Sequence, residues 1–411
     1  MLYPYPVQYF FCTDYDTGDM SKFMQSKIQA SVLISTAVGP VRGETGIAGL
    51  KLDFNYGLRL QVPEGDWHVR ISDADSGKVF LEQDVSEKVL ISVETYYVRW
   101  LVDVAKDGVY VFSHTLDVAG QKVYFVYFHK AIGDALALFP YIRAFQRERN
   151  AEVSYYVMDS FQELFHRFYP DIPLRSQAEE DTYATYVLAA GVKEQGYAPL
   201  DGRTIPMWQM GQFLLGLHTP VTFRDVSKWP LPKRAIKEPY VCVGIQATTV
   251  LKGWLYPNGW NEVVAYLRSL GYRVLCIDKD RELHEMDCVS KIPEGAEDFT
   301  GERPLEERAD LLFHAAFFIG LGSGLSWLAN AVGCPVVLIS GFSRCWAEFP
   351  TPYRVFNKLV CNGCYNDLKS DFLWKGCAFD RNSKRWMECS TTISPVMVIE
   401  AIDRLRREEQ R

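Results

Sequence analysis

From residue 122 onward the sequence alternates between two textures. KVYFVYFH, residues 122–129, is a continuous apolar and aromatic run; the turn KAIGD and the helical pattern ALALFPYIRAFQRERN follow; AEVSYYVMD then repeats the first texture and FQELFHRFYPDI the second. An uninterrupted apolar strand is buried on both faces, and a helix between two such strands returns the chain to begin the next alongside. The repeat therefore predicts a parallel sheet covered by helices. A second series begins beyond VSKWPLPKRAIKEP, residues 226–239, whose prolines and lysines read as a linker. It runs YVCVGIQ, GWNEVVAYLRSLG, YRVLCID, PLEERADLLFHA, FFIGLG, SGLSWLANAVG and CPVVLIS. Two such modules predict facing α/β domains, with ligands at the carboxyl ends of the strands in the gap between them.

Upstream of residue 120 the texture is different. GIAGLKLDF, GLRLQV, DWHVRIS, KVFLEQ, KVLISVETYYVRWLVDVA and GVYVFSHTLDV, with ASVLISTAV before them, are short β-branched and aromatic runs parted by Gly, Asp and Asn. That is the pattern of a β-sandwich or barrel. The first twenty residues, with DYDTGDM as a turn, read either as a hairpin that packs on a neighbouring subunit or as an edge strand of the same sheet. The expected organisation is a β-rich domain over 1–120, an α/β domain over 121–235, and a second α/β domain over 236–411.

With 411 residues and 48% hydrophobic content the chain can bury two or three cores. No stretch approaches the roughly 20 apolar residues needed to span a bilayer, and MLYPYPVQYFFCTDYD lacks the basic start and cleavage site of a signal peptide, so a cytoplasmic protein is expected. A net charge of −7 argues against nucleic acid or an anionic membrane surface as partner. Cysteines in such a compartment stay reduced. Cys12, Cys242, Cys276, Cys288, Cys334 and Cys345 are scattered and read as small hydrophobes.

The other four are patterned. Cys361-x2-Cys364 is followed by Cys377 after twelve residues and Cys389 after eleven more. A tight CxxC chelating turn with two later cysteines is the form of a tetrahedral four-thiolate site, and the polar segment between them is too short to build its own core. Disulfides and four unrelated buried thiols are the competing readings. Zinc and iron both suit four thiolates; with every position filled by protein, the metal would be structural.

Three further segments carry chemistry. In FHKAIGDALALFP a strand stops at His129, Gly133 permits a sharp turn and Asp134 opens a helix; Asp134 is either an N-cap or a general base facing the gap. In FFIGLGSGLSWLANAVG an apolar strand runs into Gly322-Ser323-Gly324-Leu325 and a helix, which either allows tight packing or offers backbone N–H groups to a diphosphate. Nicotinamide dinucleotide binding is excluded there: the third glycine comes too early and the next strand, VVLISG, ends without a carboxylate. In GIQATTVLKGW, Thr248 and Thr249 can donate to phosphate oxygens and Lys252 supplies a compact positive charge; alternatively Lys252 is a solvated lysine beside a Trp-rich turn. No DxD-type pair stands out to hold Mg²⁺, so no catalytic magnesium is expected.

IGDALALFP, TTVLKGW and FTGERPLEERADLLFHAAFFIGLGSGLSWLANAVGCPVVLISG, in this order within about residues 120–350, resemble the bacterial heptosyltransferases, whose GT-B fold sets two Rossmann-like domains face to face. With the β-rich N-terminal region and the C-terminal cysteines, the chain is similar to the autotransporter heptosyltransferases, inverting enzymes that transfer heptose from ADP-heptose to serines of bacterial autotransporter adhesins. The resemblance implies that Asp134 is the catalytic base, that Thr248, Thr249 and Lys252 contact the diphosphate, and that Gly322, Ser323, Gly324 and Leu325 line the donor pocket. It also implies a structural iron, one per subunit, with zinc as the alternative, and a cytoplasmic homododecamer. Where the lipopolysaccharide enzymes commonly have Asp and His in the donor pocket, this chain has Gly322 and Trp327. The alternatives are a lipopolysaccharide core heptosyltransferase and a metal-stapled, non-catalytic scaffold on the same fold.

Overall fold

The computed structural model describes residues 3–12, 38–189, 199–223, 229–286, 288–370 and 376–409. The DYDTGDM turn and all but the last residue of ASVLISTAV lie outside them.

Strand and helix alternate as the sequence predicts. In the first half, Lys122–Tyr127 leads into the helices Ile132–Leu138 and Pro140–Arg149, then the strand Glu152–Val157 and the helix Gln162–Phe168. The single helix expected over ALALFPYIRAFQRERN is divided at Phe139, because Pro140 cannot donate the N–H an unbroken helix requires. In the second half a six-stranded sheet has the order Glu297–Asp298, Arg273–Cys276, Tyr240–Gly244, Phe318–Leu321, Val336–Ile339, Arg354–Val355, with every pairing parallel. The helices Gly259–Ser269, Leu305–His314, Gly324–Ala331 and Pro395–Glu409 accompany it.

The β-rich region forms two layers. One is the antiparallel sheet Val79–Val85, Trp67–Asp73, Trp100–Lys106, Val109–Thr115. The other, Val7–Phe10, Lys88–Ser92, Arg59–Val62 and Lys51–Asn55, does not stop at its own edge. Lys51–Asn55 pairs in parallel with Ala184–Val187, Phe54 opposite Ala184, so this layer runs on through Lys122–Tyr127 to Glu152–Val157 as one seven-stranded sheet. Val7–Phe10 is its edge strand, paired in parallel with Lys88–Ser92. The layers share a core in which Trp67, Val69, Trp100 and Val102 lie with Leu58, Leu60 and Leu90. Close to the join, the Arg59 guanidinium is fully buried and donates to both oxygens of Asp53 at 2.7 Å, a charge pair that satisfies itself where water is excluded.

Of the six scattered cysteines, Cys12, Cys242, Cys276 and Cys334 are buried and Cys288 half-buried, whereas Cys345 is exposed. No helix among the described residues is long and apolar enough to cross a membrane.

Candidate active site

The first candidate base lies where the chain leaves Lys122–Tyr127 at its carboxyl end. The Tyr127 hydroxyl donates to the Ala131 carbonyl at 2.5 Å, which fixes the turn. The N-cap of Ile132–Leu138 is Ala131, and Asp134 falls within the first turn, so Asp134 does not cap the helix. Half-buried, its carboxyl is pushed up to about 6 by burial, with Lys252 and then His129 holding it from rising further. Lys252 belongs to the other half of the molecule. The charge of one half is thus felt at the carboxyl of the other.

Lys252 ends a single 3₁₀ turn, Val250–Lys252, which follows the strand Tyr240–Gly244. Three acceptors shape this loop. Thr249 caps the turn, its Oγ1 accepting from Leu251 N at 3.3 Å; Glu285 Oε2 accepts from Val250 N at 2.7 Å; and the buried Asp278 carboxylate accepts from Ile245 N at 2.7 Å and Gln246 N at 3.2 Å. Thr249 is therefore partly engaged within its own turn, while Thr248 is exposed.

Across from this loop, Phe318–Leu321 ends and Ser323 takes extended backbone before the helix Gly324–Ala331. Ser323 makes no capping bond, and its buried Oγ has no hydrogen-bond partner. A buried hydroxyl in that state at a helix N-terminus is able to donate to an anion. The neighbouring glycines are dictated by close approach. A Cβ on Gly324 would lie 2.2 Å from Ile132 Cγ2, and one on Gly133 would lie 2.8 Å from Trp327 Cδ1. The two helix starts, one from each half, therefore touch. Trp327 is 5% exposed and packs edge-on to Phe349 with ring centroids 5.1 Å apart, so it serves as packing between the halves. Gly322 borders Glu348, whose Oε1 would stand 2.7 Å from an added Cβ and which is ion-paired with Arg354.

The four patterned cysteines gather near the same gap. Cys364 and Cys377 pack with Tyr365, Leu255 and Trp386 against the buried Leu251, Phe342 and Met387. Burial pushes the thiols of Cys361 and Cys389 up to about 12; Glu388 and then Cys364 and Cys377 add to the first, and Cys361, Cys364 and Cys377 to the second. Among the described residues, no three His, Cys, Asp or Glu side chains stand together closely enough to hold a metal ion. The chemistry of the donor set still fits a thiophilic cation, because thiols that oppose one another's ionisation are relieved by a positive charge among them.

Several residues here escaped the sequence reading. Asp278 and Glu285 shape the Lys252 loop, Glu348 borders Gly322, and Tyr365, beside Cys364, is close enough to Asp134, Glu348 and Asp201 for their charges to raise its phenol after burial has done so. None carries a local motif. Each gains its place from a partner remote in sequence.

Residues 46–108 match the family described as glycosyltransferase TibC, N-terminal domain, and residues 216–370 match glycosyltransferase family 9 (heptosyltransferase). The autotransporter heptosyltransferase BAHTCr of Citrobacter rodentium (strain ICC168) is 40% identical over 367 residues, covering 86% of this chain and 88% of that one. The chain belongs to the autotransporter heptosyltransferases. This glycosyltransferase family includes TibC of enterotoxigenic Escherichia coli, whose crystal structure is of an iron-containing dodecameric enzyme; it matches with a TM-score of 0.81 at 38% identity, over 90% of this chain and 98% of that chain. A second TibC structure, a complex with ADP-D-beta-D-heptose, matches with the same TM-score of 0.81 at 37% identity, over 90% of this chain and 98% of that chain. E. coli lipopolysaccharide heptosyltransferase II, 14% identical with a TM-score of 0.50 over 70% of this chain and 99% of that chain, shares the fold alone. The fold of this autotransporter heptosyltransferase is accordingly GT-B, with a β-rich N-terminal region.

Proposed function

We propose that this chain transfers heptose from ADP-heptose to serine hydroxyls of an autotransporter adhesin, with inversion at the anomeric carbon. The observation that carries the reading is the placement of Asp134 in one half within the field of Lys252 in the other, at the carboxyl ends of the strands. The ADP diphosphate lies between Lys252 with Thr248 and Thr249 on one side and Gly322, Ser323, Gly324 and Leu325 on the other. The unpartnered Ser323 hydroxyl and the amides that open Gly324–Ala331 supply its hydrogen bonds. The serine oxygen attacks the anomeric carbon from the face opposite the diphosphate, the carbon–oxygen bond to the diphosphate breaks, ADP leaves with the electron pair, and Asp134 takes the serine proton.

Cys361, Cys364, Cys377 and Cys389 are the ligands of a structural metal. TibC's iron supports iron over zinc, four thiolates on each chain would hold one ion per subunit, and TibC's dodecameric state supports a homododecamer here. A bound cation would fix the segment 361–389 and takes no part in transfer. The units of the chain are 1–120, 121–235 and 236–411, the first two sharing the seven-stranded sheet. A cytoplasmic location suits an enzyme that modifies its acceptor before secretion.

Co-expression with an adhesin fragment, followed by mass spectrometry, tests the acceptor: added heptose on serine is expected. Transfer to a lipid A core acceptor with none to the adhesin would favour the lipopolysaccharide reading.

The pH profile follows from Asp134. As a base it must be ionised, so kcat/KM should fall about tenfold per pH unit below about 6, the value to which burial lifts this carboxyl. Bound diphosphate offsets the Lys252 charge that holds the carboxyl down, so the inflection in kcat should lie above that in kcat/KM. A profile flat from about pH 5 to pH 8 would remove Asp134 from the proton transfer.

A further inference from the structure

The segment that carries the cysteines is bonded directly to the loop that carries Lys252. Ser390, one residue past Cys389 and 3% exposed, donates to the Gly253 carbonyl at 2.6 Å and accepts from Leu255 N at 2.8 Å. Trp254 Nε1 donates to the Ile393 carbonyl at 2.8 Å. Thus every residue from 253 to 255 is tied to the stretch 390–393, immediately after Lys252. From the other side of the turn, Leu251 lies in one apolar cluster with Phe342, Met387, Cys364, Tyr365 and Cys377. The 3₁₀ turn Val250–Lys252 has two backbone hydrogen bonds of its own, from Lys252 N to Thr249 O at 3.0 Å and from Gly253 N to Val250 O at 2.8 Å, besides the Thr249 side-chain cap. So short a turn has little stability alone and takes its position from what it packs against.

We propose that Ser390 is the positioning residue for Lys252, and that the four-cysteine segment is thereby part of the donor-binding apparatus. Its two hydrogen bonds set where the chain leaves the 3₁₀ turn, and the cysteine cluster supports the turn from below through Leu251. The ammonium then stands fixed toward the diphosphate before the donor arrives. A lysine without that support would have to be ordered on binding, at the expense of affinity. The inference rests on the assignment of Lys252 to the donor diphosphate.

The test is ADP binding by calorimetry, with metal content and assembly size measured on each preparation. Ser390→Ala removes both bonds and leaves the Leu255 amide without its partner; ADP affinity should fall about tenfold at unchanged metal content and assembly size. Ser390→Thr, which keeps the hydroxyl, should restore most of it. Lys252→Met should weaken ADP binding at least as much, and the double variant should be no weaker than Lys252→Met alone, since Ser390 acts through that ammonium. Fully additive losses, or wild-type affinity in Ser390→Ala, would overturn the proposal while leaving the donor assignment standing. Wild-type affinity in Lys252→Met would overturn the donor assignment, and this inference with it.

Discussion

Asp134→Asn is expected to lower heptosyl transfer by about three orders of magnitude without weakening ADP binding. Asparagine keeps the shape of the side chain and its place in the first turn of Ile132–Leu138, so the helix and the contact of Gly133 with Trp327 persist. What disappears is the only change that matters to a proton acceptor, the ability to take a proton from the serine. The binding arm has a definite sign. The Asp134 carboxylate and Lys252 attract one another, and a neutral amide frees the ammonium for the diphosphate, so ADP affinity should hold or rise slightly. Single-turnover transfer and ADP titration on the same protein read the two arms separately. Transfer at the wild-type rate would exclude Asp134 from the chemistry; loss of transfer together with loss of ADP binding would show that the substitution damaged the gap rather than the proton path.

Cys361→Ser should abolish stoichiometric metal binding and lower the melting temperature by about 10 °C, because a structural metal contributes on the order of 10 kcal/mol and each kcal/mol lost moves the midpoint by roughly 1 °C in a chain of 411 residues. A hydroxyl cannot replace a thiolate for a soft cation, and the remaining three thiols lose the relief of charge that the ion gives them. The half-buried Cys361 also donates its backbone N–H to Glu388 Oε1 at 3.3 Å, and Glu388 is ion-paired with Arg385, so the serine variant keeps its local backbone bonds and isolates the effect of the sulfur. Elemental analysis and a thermal melt measure both outcomes. Metal retained at wild-type stoichiometry would dismiss the four-thiolate assignment.

The α/β halves were legible because burial on both faces writes continuous apolar runs such as YVCVGI and FFIGLG, and the helices between them carry their own period. Asp134 was legible as a carboxylate just past a strand end, and the cysteines by their spacing. Trp327 stands out in the sequence only as a departure from the lipopolysaccharide enzymes; that it packs on Gly133 depends on two helices from different halves meeting head to head. Ser390 and Leu255 are bonded across 135 positions, and Asn55 and Thr185 across 130. Sequence periodicity reports which face of an element is buried but not which distant element buries it. For the same reason the β-rich region read as a separate body: its strands have ordinary alternation, and nothing in KLDFN says that its neighbour is ATYV.

That last pairing governs how the chain can be cut. A fragment beginning near residue 121 would bare one flank of Ala184–Val187, a strand buried throughout in the whole protein, and leave its amides and carbonyls as a template for any extended chain nearby. The α/β half that carries Ala184–Val187 is therefore no portable module. It requires the preceding strands as an intramolecular lid on its own stickiness, and heat should take both apart in a single step.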